Sequence, residues 1–216
     1  MKILILNGSP RPNGNTAKMV AAFSESAENS GHHVVCFNVC KMNIKGCLAC
    51  EYCHGKGQGT CAQKDDMQEI YKELKDTQML VLAAPIYYHG ISGQLKCVID
   101  RFYSALYPTA PKSLKKAAMF LSSGDPDMYD GAKFSYEGDF LGYLGLEGCG
   151  IFTNHDMDVM DRIRKMASSL LIPVCPPLIP STSPWAVFFY PEMECDPPCP
   201  TKAGSCGTVS NPPIWA

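Results

Sequence analysis

Short, continuous apolar runs recur along the chain at residues 2–6, 33–39, 78–84, 116–122 and 148–154, separated by longer segments of helical period. A run such as KILIL, with no polar alternation, is the pattern of a strand buried on both faces. In the segments between, apolar positions fall on one side of a helix: Met67, Ile70, Tyr71 and Leu74, then Leu95, Val98, Ile99, Phe102 and Leu106, then Val159, Met160, Ile163, Met166 and Leu170. A first helix, less regular, is predicted from Thr16 to about Asn29, carrying Met19, Val20, Phe23 and Ala27. Strand and helix thus alternate five times. Right-handed crossovers then require a parallel sheet covered by helices on both faces, a doubly wound α/β fold. Ligands of such folds bind beyond the carboxyl ends of the strands. The loops at 7–15, 40–66, 85–92, 123–136 and 155–156 are therefore where a site is expected.

Composition bounds this picture. At 216 residues there is room for one sizeable core with a modest extension. Proline crowds the sequence after about Ile172, so residues 172–216 are expected as an irregular, extended tail to a domain formed by 1–171. The WAVFFY cluster in that tail is too apolar to be left in water and should cover the core or a second subunit. With 19 basic and 21 acidic residues there is no basic stripe for nucleic acid. The apolar N-terminal run, about five residues, is too short for the core of a signal peptide or a membrane span. A soluble, cytoplasmic protein is expected. In a reducing compartment the 12 cysteines should be thiols or metal ligands, with Cys36, Cys97 and Cys149 as small core residues.

Two loops carry the chemistry. The first, NGSPRPNGNTAK at 7–18, runs from a strand into a helix, whose unpaired N–H groups and positive end favour an anion. Ser9, Asn13, Asn15 and Thr16 add donors, and Gly8 and Gly14 let the backbone approach closely. The loop lacks the Gly-Lys-Ser/Thr ending of a nucleoside-triphosphate loop and the Gly-x-Gly-x-x-Gly of dinucleotide folds, which leaves a single terminal phosphate as its guest. A capped helix start built from turn residues is the alternative. After the third strand, Pro85 fixes a turn and Tyr87 and Tyr88 offer flat surfaces to a planar ring. His89 has no evident partner, and Asp100 and Arg101 read as surface or subunit contacts.

GSPRPNGNT after the first strand, APIYYHGISGQLKCVIDRF after the third and SSG after the fourth resemble the flavodoxin-like NAD(P)H-dependent FMN reductases over roughly residues 1–171. The resemblance implies a flavodoxin-like five-stranded parallel sheet with FMN at its carboxyl edge and NAD(P)H as electron donor. It assigns the FMN phosphate to Ser9, Arg11, Asn15 and Thr16. It runs Pro85, Ile86, Tyr87 and Tyr88 along the isoalloxazine ring and brings Ser123 and Gly124 up to it. It also implies a homodimer or higher homo-oligomer.

The second loop holds Cys47, Cys50, Cys53 and Cys61 in a C-x2-C-x2-C-x7-C run. Thiolates three residues apart can curl around a compact inorganic core, with the fourth closing the set. Four-thiolate zinc and free thiols are the competing readings. The run, followed by Asp65-Asp66-Met67, resembles the iron-sulfur flavoproteins and so implies a [4Fe-4S] cluster, although the spacer before Cys61 is on the long side of that pattern. Asp65 or Asp66 is expected to cap the helix at Met67, and His54 stands beside Cys53. In the tail, Cys175, Cys195, Cys199 and Cys206 form a looser set. No Ser-His-Asp or paired-carboxylate arrangement competes as a hydrolytic site. Three functions follow: an FMN enzyme passing electrons from NAD(P)H to a small acceptor such as a flavin, quinone or nitroaromatic; an FMN/iron-sulfur electron carrier partnered with ferredoxin; and a flavin-free, zinc-stabilised module.

Overall fold

The computed structural model describes residues 1–170. The tail with its WAVFFY cluster and four cysteines lies outside the described residues. The chain runs β1 (Lys2–Asn7), α1 (Asn15–Asn29), β2 (His33–Asn38), α2 (Met67–Leu74), β3 (Met79–Tyr87), β4 (Gly90–Ile91), α3 (Gly93–Arg101), α4 (Tyr103–Leu106), β5 (Lys116–Ser122), α5 (Asp130–Ser135), β6 (Glu147–Thr153) and α6 (Val159–Ser169). Five strands pair in parallel in the order β2-β1-β3-β5-β6, the flavodoxin-like arrangement that the alternation of elements and the resemblance implied.

The continuous apolar runs are explained by the two layers they separate. Leu4, Leu6, Leu80, Leu82 and Leu121 face α2, α3, α4 and α5, through Met67, Ile70, Leu95, Val98, Phe102 and Ala132. Ile3, Ile5, Val81, Ala83 and Phe120 face α1 and α6, through Met19, Phe23, Val159 and Ile163. With period-two side chains and both faces covered, every position of a central strand must be apolar.

Three features depart from the sequence reading. β3 continues past Ala84 to Tyr87 and turns back antiparallel into β4, with Ile86 opposite Ile91 and Tyr87 opposite Gly90. The stretch read as loop at 123–136 contains α5, which continues through a π-helical stretch at Tyr136–Tyr143. Cys36 is exposed, and Cys97 and Cys149 are only half-buried. Cys36 and Cys149 lie on β2 and β6, the outer strands of the sheet, where only part of the strand surface is covered.

Candidate functional site

The carboxyl ends of β1, β3 and β5 lie side by side, Asn7 paired with Ala83 and Pro85 with Ser122, so the loops leaving them meet at one edge. The first loop is held from below. Asn7 is buried, its Nδ2 donates to Asn38 Oδ1 at 3.0 Å and its Oδ1 accepts the Ser9 amide at 3.0 Å. Ser92 Oγ donates to the Gly8 carbonyl at 2.9 Å. A Cβ on Gly8 would stand 2.6 Å from Ser92 Oγ and 2.8 Å from Leu95 Cβ, so glycine is needed there for close packing against the start of α3.

At the top of the loop, α1 begins with Gly14 at the cap position, no side-chain cap and no acidic residue in its first turn. The first helical bond at this end is Lys18 N–H to the Gly14 carbonyl, which leaves the amides of Asn15, Thr16 and Ala17 without acceptors among the described residues. A helix of 15 residues presenting its positive end this way suits a phosphate. The four residues assigned to that phosphate do not share one environment. Arg11 and Asn15 are exposed, whereas Ser9 and Thr16 are buried, Thr16 with its Oγ1 2.7 Å from Ser122 Oγ.

The segment assigned to the ring is the β3–β4 hairpin. Its two-residue tip, Tyr88 and His89, has both residues at positive φ, 51° and 62°. This is the backbone of a type I′ hairpin, a geometry usually met by Asn-Gly or Gly-Gly, so two bulky residues here carry strain. Tyr88 is wholly exposed and Tyr87 half-exposed, whereas the Ile86 side chain is in the core. The tip is backed by α5: a Cβ on Gly131 would lie 2.6 Å from the His89 carbonyl oxygen.

Ser123, half-buried, and Gly124, exposed, follow β5. A residue that sequence reasoning passed over fixes them. Asn154, just beyond β6, accepts the Ser123 amide on Oδ1 at 2.7 Å and donates from Nδ2 to the Ser123 carbonyl at 3.1 Å; the buried Tyr129 hydroxyl also donates to Oδ1 at 2.8 Å. An asparagine directly after a strand was the available signal.

The cysteine loop forms a second centre. Cys47, Cys50, Cys53 and Cys61 all line one pocket, with Arg101, Tyr103 and Ser104 from the third and fourth helices. Cys53 and Cys61 are buried, Cys47 and Cys50 exposed. Burial pushes the Cys53 thiol up. The backbone on both sides of Cys50 is left-handed, φ 49° at Ala49 and 54° at Glu51, a conformation that costs free energy in non-glycine residues. No trio of His, Cys, Asp or Glu among the described residues is close enough to chelate a single ion. His54 is committed elsewhere, its Nε2 2.9 Å from the Tyr103 carbonyl and its ring against Tyr103 and Tyr107.

Arg101, expected at a surface or subunit contact, is the largest fully buried side chain among the described residues. It forms a bidentate pair with Asp65, Nη1 to Oδ2 at 2.9 Å and Nη2 to Oδ1 at 3.1 Å, and Nη1 also donates to the Lys45 carbonyl at 3.0 Å. Asp65 in turn accepts the amides of Lys45 and Met67, and Asp66 accepts that of Asn43. The acidic pair therefore ties the two stems of the cysteine loop together. Asp65 reaches the helix start as expected, while Asp66 occupies the cap position without a side-chain cap bond. Burial alone would raise the Asp65 carboxyl, but the Arg101 hydrogen bonds and the Lys45 amide outweigh it and hold it below the usual carboxylate range.

Residues 1–135 match the family described as NADPH-dependent FMN reductase. An iron-sulfur flavoprotein of Archaeoglobus fulgidus is 38% identical over 101 residues, 47% of this chain and 45% of that protein. Another from Methanocaldococcus jannaschii is 34% identical over 101 residues, 47% of this chain and 51% of that one. The chain spans about half the length of the curated relatives it matches. Among solved structures, an NAD(P)H:quinone oxidoreductase from Methanothermobacter marburgensis superposes with a TM-score of 0.61 at 19% identity, covering 78% of this chain and 96% of that one. An azoreductase from Bacillus anthracis does so with a TM-score of 0.60 at 16% identity, covering 79% and 100%. At such identities these two establish the fold alone.

Proposed function

The chain belongs to the NADPH-dependent FMN reductase family, and on that premise we propose that it is an oxidoreductase that binds FMN at the carboxyl edge of its sheet and passes electrons from NAD(P)H to a small acceptor. The observation that carries this reading is the open start of α1, where the amides of Asn15, Thr16 and Ala17 have no acceptors among the described residues and no acidic side chain stands in the first turn. Bound there, FMN supplies the electron transfer itself. The protein's part is orientation. Ser9 and the first turn of α1 anchor the phosphate; Arg11 neutralises it from the exposed side; the Tyr87–Tyr88 edge and the Asn154-fixed Ser123 amide border the ring. No side chain is assigned a proton transfer.

The test is a pair of titrations of flavin-free protein, with FMN and with riboflavin, which lacks the phosphate. A charge-assisted phosphate contact is worth about 1.5–3 kcal/mol, so FMN should bind roughly 10–150-fold more tightly than riboflavin. Exchanging Arg11→Ala should close part of that gap. Equal affinity for the two would refute phosphate anchoring by this loop.

A second reading adds to the first. The convergence of Cys47, Cys50, Cys53 and Cys61 on one pocket, together with relatives named iron-sulfur flavoproteins, supports a [4Fe-4S] cluster held by these four thiolates. Such a group would connect two-electron input with one-electron output and would suit a ferredoxin-like partner. Iron and acid-labile sulfide in anaerobically purified protein, near four of each per chain, would support it; zinc in their place, or neither, would remove it.

A further inference from the structure

Arg101 is buried beside the cysteine loop. Its side chain is 1% exposed, its two terminal nitrogens are given to Asp65 and the Lys45 carbonyl, and its Nε has no partner among the described residues. A buried guanidinium N–H left unpaired is costly, so this side chain is held here against its own desolvation. The same side chain lines the four-cysteine pocket, and among the described lining residues it is the single cation, Glu51 being the single carboxylate. Asp65 does not line the pocket. Its carboxylate is turned to the loop stems, toward the Lys45 and Met67 amides. The ion pair is thus a fixed dipole with its positive end at the cysteines. Glu51, the one negative group at the rim, is engaged by the Tyr103 hydroxyl at 3.2 Å.

We propose that Arg101 is a positioning and charge-setting residue of the cysteine pocket, holding its positive charge against the thiolate-bound cluster so that the cluster is more easily reduced. This rests on the reading that the four cysteines hold a cluster. Adding one electron to a cluster bound by four thiolates adds one negative charge, which a fixed, buried cation beside it stabilises. Hydrogen bonds and charge around the sulfurs are among the factors that set such potentials. Asp65 opposes the effect from farther away and keeps the guanidinium in place.

The experiment is a mediator-controlled redox titration of anaerobically purified holoprotein, followed by electron paramagnetic resonance of the reduced cluster, on the wild type, R101K, R101Q and D65N. Iron and sulfide contents are measured alongside. The expected result is a potential shifted to more negative values in R101Q, close to wild type in R101K, and shifted to more positive values in D65N, at equal cluster content. Opposite signs for R101Q and D65N are what a general loosening of the loop would not produce. An unchanged potential in R101Q at full cluster content, or shifts of one sign in both variants, overturns the proposal. Should R101Q lose its cluster, D65N decides: a positive shift upholds the proposal, and a negative or absent one overturns it. A wild type without iron and sulfide instead removes the cluster reading, and this inference with it.

Discussion

Asn154 is the residue whose role is most specific and least visible in the sequence. One side chain holds both the amide and the carbonyl of Ser123 and satisfies the Tyr129 hydroxyl. Exchanging Asn154→Ala should lower FMN affinity about tenfold, the effect of roughly 1.4 kcal/mol. It should lower riboflavin affinity by the same factor, because the phosphate end is untouched. A loss confined to FMN would contradict this assignment. Arg101 was hidden from the sequence for a related reason. An arginine after an aspartate on a helix reads as solvated, and only the fold shows that Asp65, 36 residues away, is its partner. Asp100 beside it is exposed and pairs with Lys96 one turn earlier. Ser9 and Tyr88, by contrast, stand in short turns directly after strands, and the four cysteines in one long segment between β2 and α2, where their spacing along the chain can be read without the fold.

Among the elements, the β3–β4 hairpin shows how strain and position are coupled. Two non-glycine residues at positive φ each cost on the order of 1–3 kcal/mol, and the turn persists because Gly131 admits the His89 carbonyl against α5. Replacing His89→Gly should stabilise the protein by about 1 kcal/mol, raising Tm by roughly 2–4 °C. FMN affinity should not improve, since the tip becomes more mobile. A lower Tm would show that the His89 side chain has packing that outweighs its strain. The five parallel strands were legible from short apolar runs, continuous in the central three, that alternate with longer segments of helical period. The hairpin was not, because Tyr-His is not a turn dipeptide by composition; its geometry is imposed by tertiary packing. The helix at Asp130–Ser135 was missed because it spans only six residues and Gly131 and its polar neighbours blur any apolar face.

For the molecule as a whole, the acidic pair at 65–66 couples the cysteine loop to the sheet-and-helix body. The folded-state carboxyl of Asp65 lies below its ordinary value of about 3.9, so protonation favours the unfolded chain. Its contribution is therefore complete above about pH 4 and lost as pH falls through the lowered folded value. D65N leaves the buried Arg101 charge unpaired and should cost about 3–5 kcal/mol at neutral pH. In denaturant titrations from pH 8 down to 3 the gap between wild type and D65N should stay constant to about pH 4 and narrow below it. A gap that widened with acid would reverse the sign of the pairing. Among the described residues no helix is long and apolar enough to cross a membrane.

The proposed function requires electrons to pass from a nicotinamide through FMN. The most direct test is the visible absorption of FMN-loaded protein, free of oxygen, on addition of NADPH and then of NADH. Rapid bleaching of the flavin band by at least one of them, with the colour restored by a quinone or free flavin, is the predicted result. A bound flavin that keeps its band in the presence of both nicotinamides, yet is reduced by a ferredoxin-like donor, would contradict the enzyme reading and leave an electron carrier in its place.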